Sequence, residues 1–185
     1  HTRSQTVTGV QTCALPIPKS KLSPYDGGVR TPLMIRWPGR VEPGYHRDLV
    51  STVDVAPTIL RAAGLEPTAE MPGLDLVGEL TRQSPWPREA VHGEIYTHDA
   101  ESLEAIEPNV THQWIRRRDW KGIRPIRPQK ASNANLRFSD PQLYHLAQDP
   151  YEETDLAERR PERTERLTGL LEEWAYSSEN VTSRE

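Results

Sequence analysis

Seventeen prolines in 185 residues limit what this chain can fold into more than any other feature. Each fixes φ near about −65° and removes a backbone donor, so a proline inside a helix or a central strand breaks it. The elements between them must be short, and many loops are expected. The exception follows Pro161, after which no proline occurs. There Leu167, Leu170, Leu171 and Trp174 fall at i, i+3, i+4 and i+7, one apolar stripe of a helix that Pro161 can open.

The remainder reads as short pieces. Residues 19–28 carry two lysines, a proline and Gly27-Gly28, the composition of a loop with unusual backbone angles. Residues 32–37 read as a short, largely buried strand that Pro38-Gly39 stops. Residues 54–63 place Val55, Ile59, Leu60 and Ala63 on one side of a three-turn amphipathic helix, with Gly64 as its stop and Pro57 tolerable in the first turn. Residues 65–88 read as loop. Residues 90–96 and 113–118 are strand-like, and Arg118-Asp119 can turn the chain into 120–123 as an antiparallel hairpin. Residues 142–146 form another short strand. The order is a strand–helix unit, then a small antiparallel sheet closed by a helix, which is α+β logic at the end of a larger α/β fold.

Length admits one domain with a real core and not two ordinary ones. A mean hydropathy of −0.74 and 27% charged residues fit a soluble chain with a modest core. No run approaches the roughly 18 apolar residues of a membrane helix. The net charge of −4 selects no partner, and the single cysteine, Cys13, excludes an internal disulfide.

Residues 7–17, VTGVQTCALPI, resemble the translation of a widely used short-read sequencing adapter. Residues 1–17 are therefore expected to be an unstructured artefact and are set aside from fold reasoning. The chain upstream of about Pro18 is then missing rather than short. Residues 18–88, 89–176 and 177–185 are expected to be, in turn, the end of a catalytic domain, an antiparallel-sheet subdomain with its helix, and a tail.

Four segments in order resemble the sulfatase family of the alkaline-phosphatase-like superfamily. Lys21-Leu22-Ser23-Pro24-Tyr25-Asp26-Gly27-Gly28-Val29-Arg30-Thr31-Pro32 is similar to its K-x-x-x-Y-E-G-G-x-R-x-P, and Leu33-Met34-Ile35-Arg36-Trp37-Pro38-Gly39 continues it. Ser51-Thr52-Val53-Asp54-Val55-Ala56-Pro57-Thr58-Ile59-Leu60 is similar to S-x-x-D-x-x-P-T-x-L. Gly93-Glu94-Ile95-Tyr96 with Arg118-Asp119-Trp120-Lys121 is a weaker third. Leu143-Tyr144-His145-Leu146-Ala147-Gln148-Asp149-Pro150-Tyr151-Glu152-Glu153-Thr154-Asp155-Leu156-Ala157 is similar to L-Y-D-L-x-x-D-P-x-E-x-x-N-L-A, departing mildly at His145 and Asp155. The resemblance runs from about Lys21 to Trp174. It implies an α/β sulfatase-like fold of which this chain holds the C-terminal portion: the end of the large sheet and a small antiparallel sheet packed by a C-terminal helix.

The implied activity is hydrolysis of sulfate esters, which requires fixed positive charge around the sulfuryl oxygens and the leaving alkoxide. The resemblance implies a Ca²⁺ ion and a formylglycine nucleophile in the intact enzyme. Both belong to segments preceding Lys21, so this chain alone is expected to bind neither and to be inactive. Cys13 does not fit the nucleophile motif C-x-P-x-R, because its proline comes one place late and no arginine follows. Lys21 is the catalytic candidate: in the family, a lysine four residues before this tyrosine reaches the sulfate group. Lys19 competes if the loop register slips by two. Tyr25, Asp26, Gly27, Gly28 and Arg30 are expected to shape the loop, and Asp54 to cap a helix start. His92 and His98 are weaker candidates for the substrate's non-sulfate part, with surface or packing roles favoured. No spacing among the six histidines resembles a zinc set.

Two alternatives stand beside this reading. One is a phosphonate or phosphate monoester hydrolase of the same superfamily. The other is a polyanion-binding module on residues 116–130, where seven Lys or Arg face the single acid Asp119, with Trp114 and Trp120 nearby. A solvated hairpin is the favoured account of that stretch. The tail from Asp149 onward holds eleven acids against five arginines and reads as a solvated helix face. A sulfated small molecule or polysaccharide is the expected partner, with no nucleic acid and no membrane. Family habit points to a periplasmic or secreted enzyme, and the sequons Asn109-Val110-Thr111 and Asn180-Val181-Thr182 carry little weight alone.

Overall fold

The computed structural model describes residues 19, 21–82, 85–100, 105 and 107–182, with side chains to residue 175. Cys13 and residues 1–17 lie outside them, as does the expected role of that stretch. Four antiparallel strands form one sheet in the order β1-β2-β3-β4: β1 Ala90–Tyr96, β2 Val110–Arg117, β3 Trp120–Pro125 and β4 Gln142–His145. The β2–β3 hairpin turns at Arg118-Asp119, where Arg118 takes φ 54°. That positive φ accommodates the tight turn between Arg117 and Trp120, which pair across it.

Period-2 alternation gives the sheet two unlike faces. Ile115 and Leu143 on one face pack against Leu167 and Leu171 of the C-terminal helix α4, Pro161–Thr182, all four buried. Leu170 and Trp174 pack against the same cluster, so the expected apolar stripe is the docking face. Gly122 lets the helix approach, since a Cβ there would stand 3.1 Å from Leu167 Cβ. The helix continues to Thr182, beyond the boundary expected near residue 176. On the other face Ile123 and Tyr144 join Tyr25, Ala131, Leu136 and Leu146 in a second core.

The region before the sheet departs from the sequence reading in three places. Residues 32–37 are not a strand: they are irregular and largely exposed, Met34 at 89%. A lone strand has no ladder to satisfy its N–H and C=O groups, and none of the four strands lies beside this one. The second departure is α2, Val55–Ala62, which forms as expected and ends at Gly64 with φ 76°. Its apolar stripe nevertheless faces outward, with Ile59 62% exposed, while Pro57 and Thr58 are the buried positions. Third, residues 65–88 contain a short helix, α3 Leu76–Thr81, that anchors Leu76 in the interior. No helix among the described residues is long and apolar enough to cross a membrane.

His112 on β2 is fully buried, with Nδ1 3.1 Å from Thr111 Oγ1 and its ring 4.8 Å from that of Phe138. Burial holds its pKa down to about 4. The folded state therefore binds fewer protons than the unfolded state between about pH 6.5 and pH 4, and stability should fall as pH drops through that window. A loss on the order of 2–3 kcal/mol is expected, reduced in His112→Gln, and read from urea midpoints at pH 7 and pH 4.5.

Candidate functional site

The loop that carries Lys21 is held by its neighbours in sequence rather than by Lys21 itself. Lys19 and Leu22 both adopt positive φ, 68° and 65°, so the chain coils tightly before Ser23, Pro24 and Tyr25 turn inward and become buried. Tyr25 inserts its ring edge-on against Tyr144, centroids 5.9 Å apart. Both phenols donate to Gln142 Oε1, at 2.7 and 3.0 Å. Burial raises the pKa of both phenols, so they remain neutral donors.

After Tyr25, the four-residue helix α1, Asp26–Val29, presents Asp26 to the sheet. Lys121, fully buried on β3, donates to Asp26 Oδ1 at 2.8 Å and stands 3.1 Å from Glu152 Oε1. Glu152 Oε2 accepts the Asp26 backbone N–H at 2.6 Å, and Arg116 Nη1 is 3.6 Å from Asp26 Oδ2. Three of the four motif segments therefore meet at one buried ionic cluster. Burial pushes the Glu152 carboxyl above its usual pKa, partly offset by Lys121 and the Asp26 N–H.

Glu152 reaches this cluster from a strained turn, with φ 57°. Asp149 closes that turn by accepting the backbone N–H groups of Glu153 and Thr154 at 3.0 and 2.8 Å. Lys19 joins from above: its ammonium sits over the Tyr25 ring at 4.7 Å and the Tyr144 ring at 5.2 Å and donates to the Glu152 carbonyl. Burial lowers its pKa against the pull of Glu152. Lys21, by contrast, is exposed. Of the two lysines weighed from sequence, Lys19 holds the loop and Lys21 is free to point outward.

The remaining segment, Ser51–Leu60, builds a separate lock. Asp54 is fully buried and accepts Ser51 N–H at 2.7 Å and Leu74 N–H at 2.8 Å. Arg88 grips both carboxylate oxygens, at 2.5 and 2.6 Å. Desolvation works against the charge, but these partners outweigh it and hold Asp54 below the usual carboxylate pKa. Asp54 is thus the third residue of the turn Thr52–Asp54, reaching back to Ser51, rather than the first cap of α2. Its role is structural, as the sequence reading favoured.

The histidine candidates lie elsewhere. His92 stacks on Trp174 of α4, centroids 4.7 Å apart, so it occupies the sheet face opposite the Lys21 loop. Burial, with Arg88 second, lowers its pKa and keeps it neutral. His98 lies exposed beyond β1. The described residues therefore do not bring Lys21, His92 and His98 together.

The basic stretch 116–130 is largely engaged by other parts of the fold. Arg116 and Lys121 meet Asp26, Arg117 meets Glu89, Arg124 meets Glu172 at 2.9 Å, and Arg127 and Lys130 donate to the carbonyls of Glu107 and Pro108. A polyanion module spread along that stretch is not favoured. Among the described residues no three His, Cys, Asp or Glu side chains gather to hold a metal ion. They do not supply a ligand set for the calcium ion that the resemblance implies.

Comparison with known proteins covers the same stretch of the chain. The family model described as "N-sulphoglucosamine sulphohydrolase, C-terminal" matches residues 20–174. The chain is 31% identical over 160 residues to the N-acetylgalactosamine-6-O-sulfatase of Bacteroides thetaiotaomicron, covering 82% of this chain and 28% of the relative. It is 32% identical over 116 residues to the ulvan-active sulfatase of Formosa agariphila, covering 62% of this chain and 18% of the relative. A solved protein in complex with its substrate D-glucosamine-2-N,6-O-disulfate superposes with a TM-score of 0.50 at 25% identity, over 71% of this chain and 25% of its own. The chain thus spans between 18% and 28% of the length of these relatives.

Proposed function

Because the chain belongs to the sulfatase family, as the C-terminal portion, we propose that it serves an enzyme hydrolysing sulfate esters carried on a carbohydrate. The family match across residues 20–174 carries the reading. The named relatives act on sulfated sugars or polysaccharides, which supports a sulfated carbohydrate substrate. Formylglycine and Ca²⁺ would be supplied by segments that precede Lys21 in the family's order, and formylglycine would provide the covalent nucleophile.

Lys21 contributes a compact positive charge at the sulfate group. Its ammonium stands on a flexible stem and can follow the sulfuryl oxygens as negative charge builds on them. The residues around it fix where that stem begins. Lys19 and Tyr25 clamp the loop to the sheet, and Asp26 ties α1 to Lys121. In this division of labour one lysine anchors and the other reaches.

The test is hydrolysis by the polypeptide with its family-type upstream segments in place. Paired aryl sulfate and aryl phosphate substrates separate a sulfatase from a phosphate or phosphonate hydrolase. Lys21→Ala is expected to lower kcat/KM for the sulfate ester by roughly tenfold, about 1.4 kcal/mol of transition-state stabilisation. Lys19→Ala should lower thermal stability as well as activity. Preference for the phosphate ester, or full activity in Lys21→Ala, would refute the assignment.

A further inference from the structure

On the α4 face of the sheet, away from the Lys21 loop, the β2–β3 turn and the start of α4 enclose an open cleft of about 610 Å³. Six arginines line it: Arg117 and Arg118 from the turn, and Arg159, Arg160, Arg163 and Arg166 from α4 and the residues before it. Glu162 is the one acid in the lining, and Glu89 answers Arg117 from outside it. Among the described residues the guanidinium groups of Arg118, Arg159, Arg160 and Arg166 make no hydrogen bond or close ion pair, although Arg118 and Arg166 add to the field that Arg117 exerts on Glu89. Arg163 lies flat over the Trp120 ring, 4.2 Å from its centroid.

This concentration is unfavourable for the fold alone. Arginines three and four apart on a helix repel one another, and cations near a helix start oppose its dipole. The chain as a whole carries a net charge of −4, so general basicity does not account for it. Arg163 and Arg117 have partners within the fold in Trp120 and Glu89, so Arg118, Arg159, Arg160 and Arg166 are the guanidinium groups left to face a ligand.

We infer that this cleft is a second, non-catalytic binding site for a sulfated glycan chain. Its lining is made of arginines without lysine, and the planar guanidinium fork grips sulfate oxygens in pairs. Its volume matches a few saccharide units. Trp120, the aromatic ring in the lining, is already covered by Arg163, which leaves no platform for stacking a nucleobase. The choice of glycan over other polyanions rests on the sulfatase reading; the cleft itself does not. Because the cleft and Lys21 occupy opposite faces of the sheet, the site retains a polymer and does not act on the ester being cut.

The probe is a size-defined heparin oligosaccharide, titrated calorimetrically onto the chain at low salt. Arg159→Ala with Arg163→Ala should weaken binding by about tenfold, while Arg61→Ala with Arg82→Ala, an equal charge loss elsewhere, should leave it unchanged. Circular dichroism checks both folds, and Arg160→Ala with Arg166→Ala is a second cleft variant on exposed positions. The same oligosaccharide stripped of sulfate should not bind, and a single-stranded oligodeoxynucleotide of equal charge should bind more weakly. Absence of heparin binding, an equal loss in the elsewhere variant, or tighter binding of the oligodeoxynucleotide would each overturn the inference. Hydrolysis of a small aryl sulfate bypasses the cleft, so failure of the binding test and failure of the sulfatase reading are separately visible.

Discussion

Replacing Lys121 by methionine should destabilise the chain by about 3–5 kcal/mol, read from the urea midpoint at neutral pH. Methionine restores most of the buried volume, so the loss reports charge rather than packing. It removes the ammonium that compensates Asp26 at 2.8 Å and Glu152 at 3.1 Å, leaving Glu152 the Asp26 N–H and Asp26 the longer contacts to Arg116 and Arg30. Combining it with Asp26→Asn and Glu152→Gln should recover much of the deficit, because neutral amides need no cation. The pH dependence has a definite sign. Glu152 already has a raised folded-state pKa, and removing Lys121 raises it further, so the folded variant binds extra protons as pH falls. The penalty should therefore shrink on acidification and be largest near neutrality. A deficit independent of pH would mean that packing, not charge, is what Lys121 supplies.

Arg88→Ala is the second large effect expected, about 3 kcal/mol. It removes both charge-assisted bonds from Asp54, which is fully buried and retains only the N–H groups of Ser51 and Leu74. In the parent chain the depressed Asp54 pKa contributes stability that is present above the unfolded carboxylate pKa and lost as pH falls through the folded value. The variant should lose that acid-side slope together with the stability, and Asp54→Asn in the same background should restore part of it. Differential scanning calorimetry between pH 3 and pH 7 measures both.

Local pattern exposed much of this fold. The hairpin turning at Arg118-Asp119, the strand 90–96 and the α4 stripe all follow from periodicities that depend on neighbours in sequence. Residues 32–37 did not, because an apolar run becomes a strand only when a ladder stands beside it. The α3 helix was hidden by Pro72, Gly73 and its internal Gly78, which read as loop although Leu76 is held in the interior.

The candidate site was legible as letters and not as geometry. Asp26, Lys121 and Glu152 each stood in a motif segment, but nothing local could say that three segments converge on one buried ammonium. Nor could spacing assign anchoring to Lys19 and outward reach to Lys21. The arginine cleft was masked by averaging. Four of the five arginines after Asp149 line it, yet eleven acids in the same stretch made the segment read as an acidic, solvated tail.

The ionic cluster also sets an order of events in folding. Its bonds join residues 95 and 126 apart in sequence, so they close very long loops and return no energy until the sheet bearing Lys121 exists. The loop carrying Lys21 should accordingly dock last and open first. Changes at Asp26 or Glu152 would then accelerate unfolding while leaving refolding nearly untouched. The segment proposed to reach the sulfate is thus the one whose attachment is made late, and hydrogen exchange should find its amides opening well before those of β2 and β3.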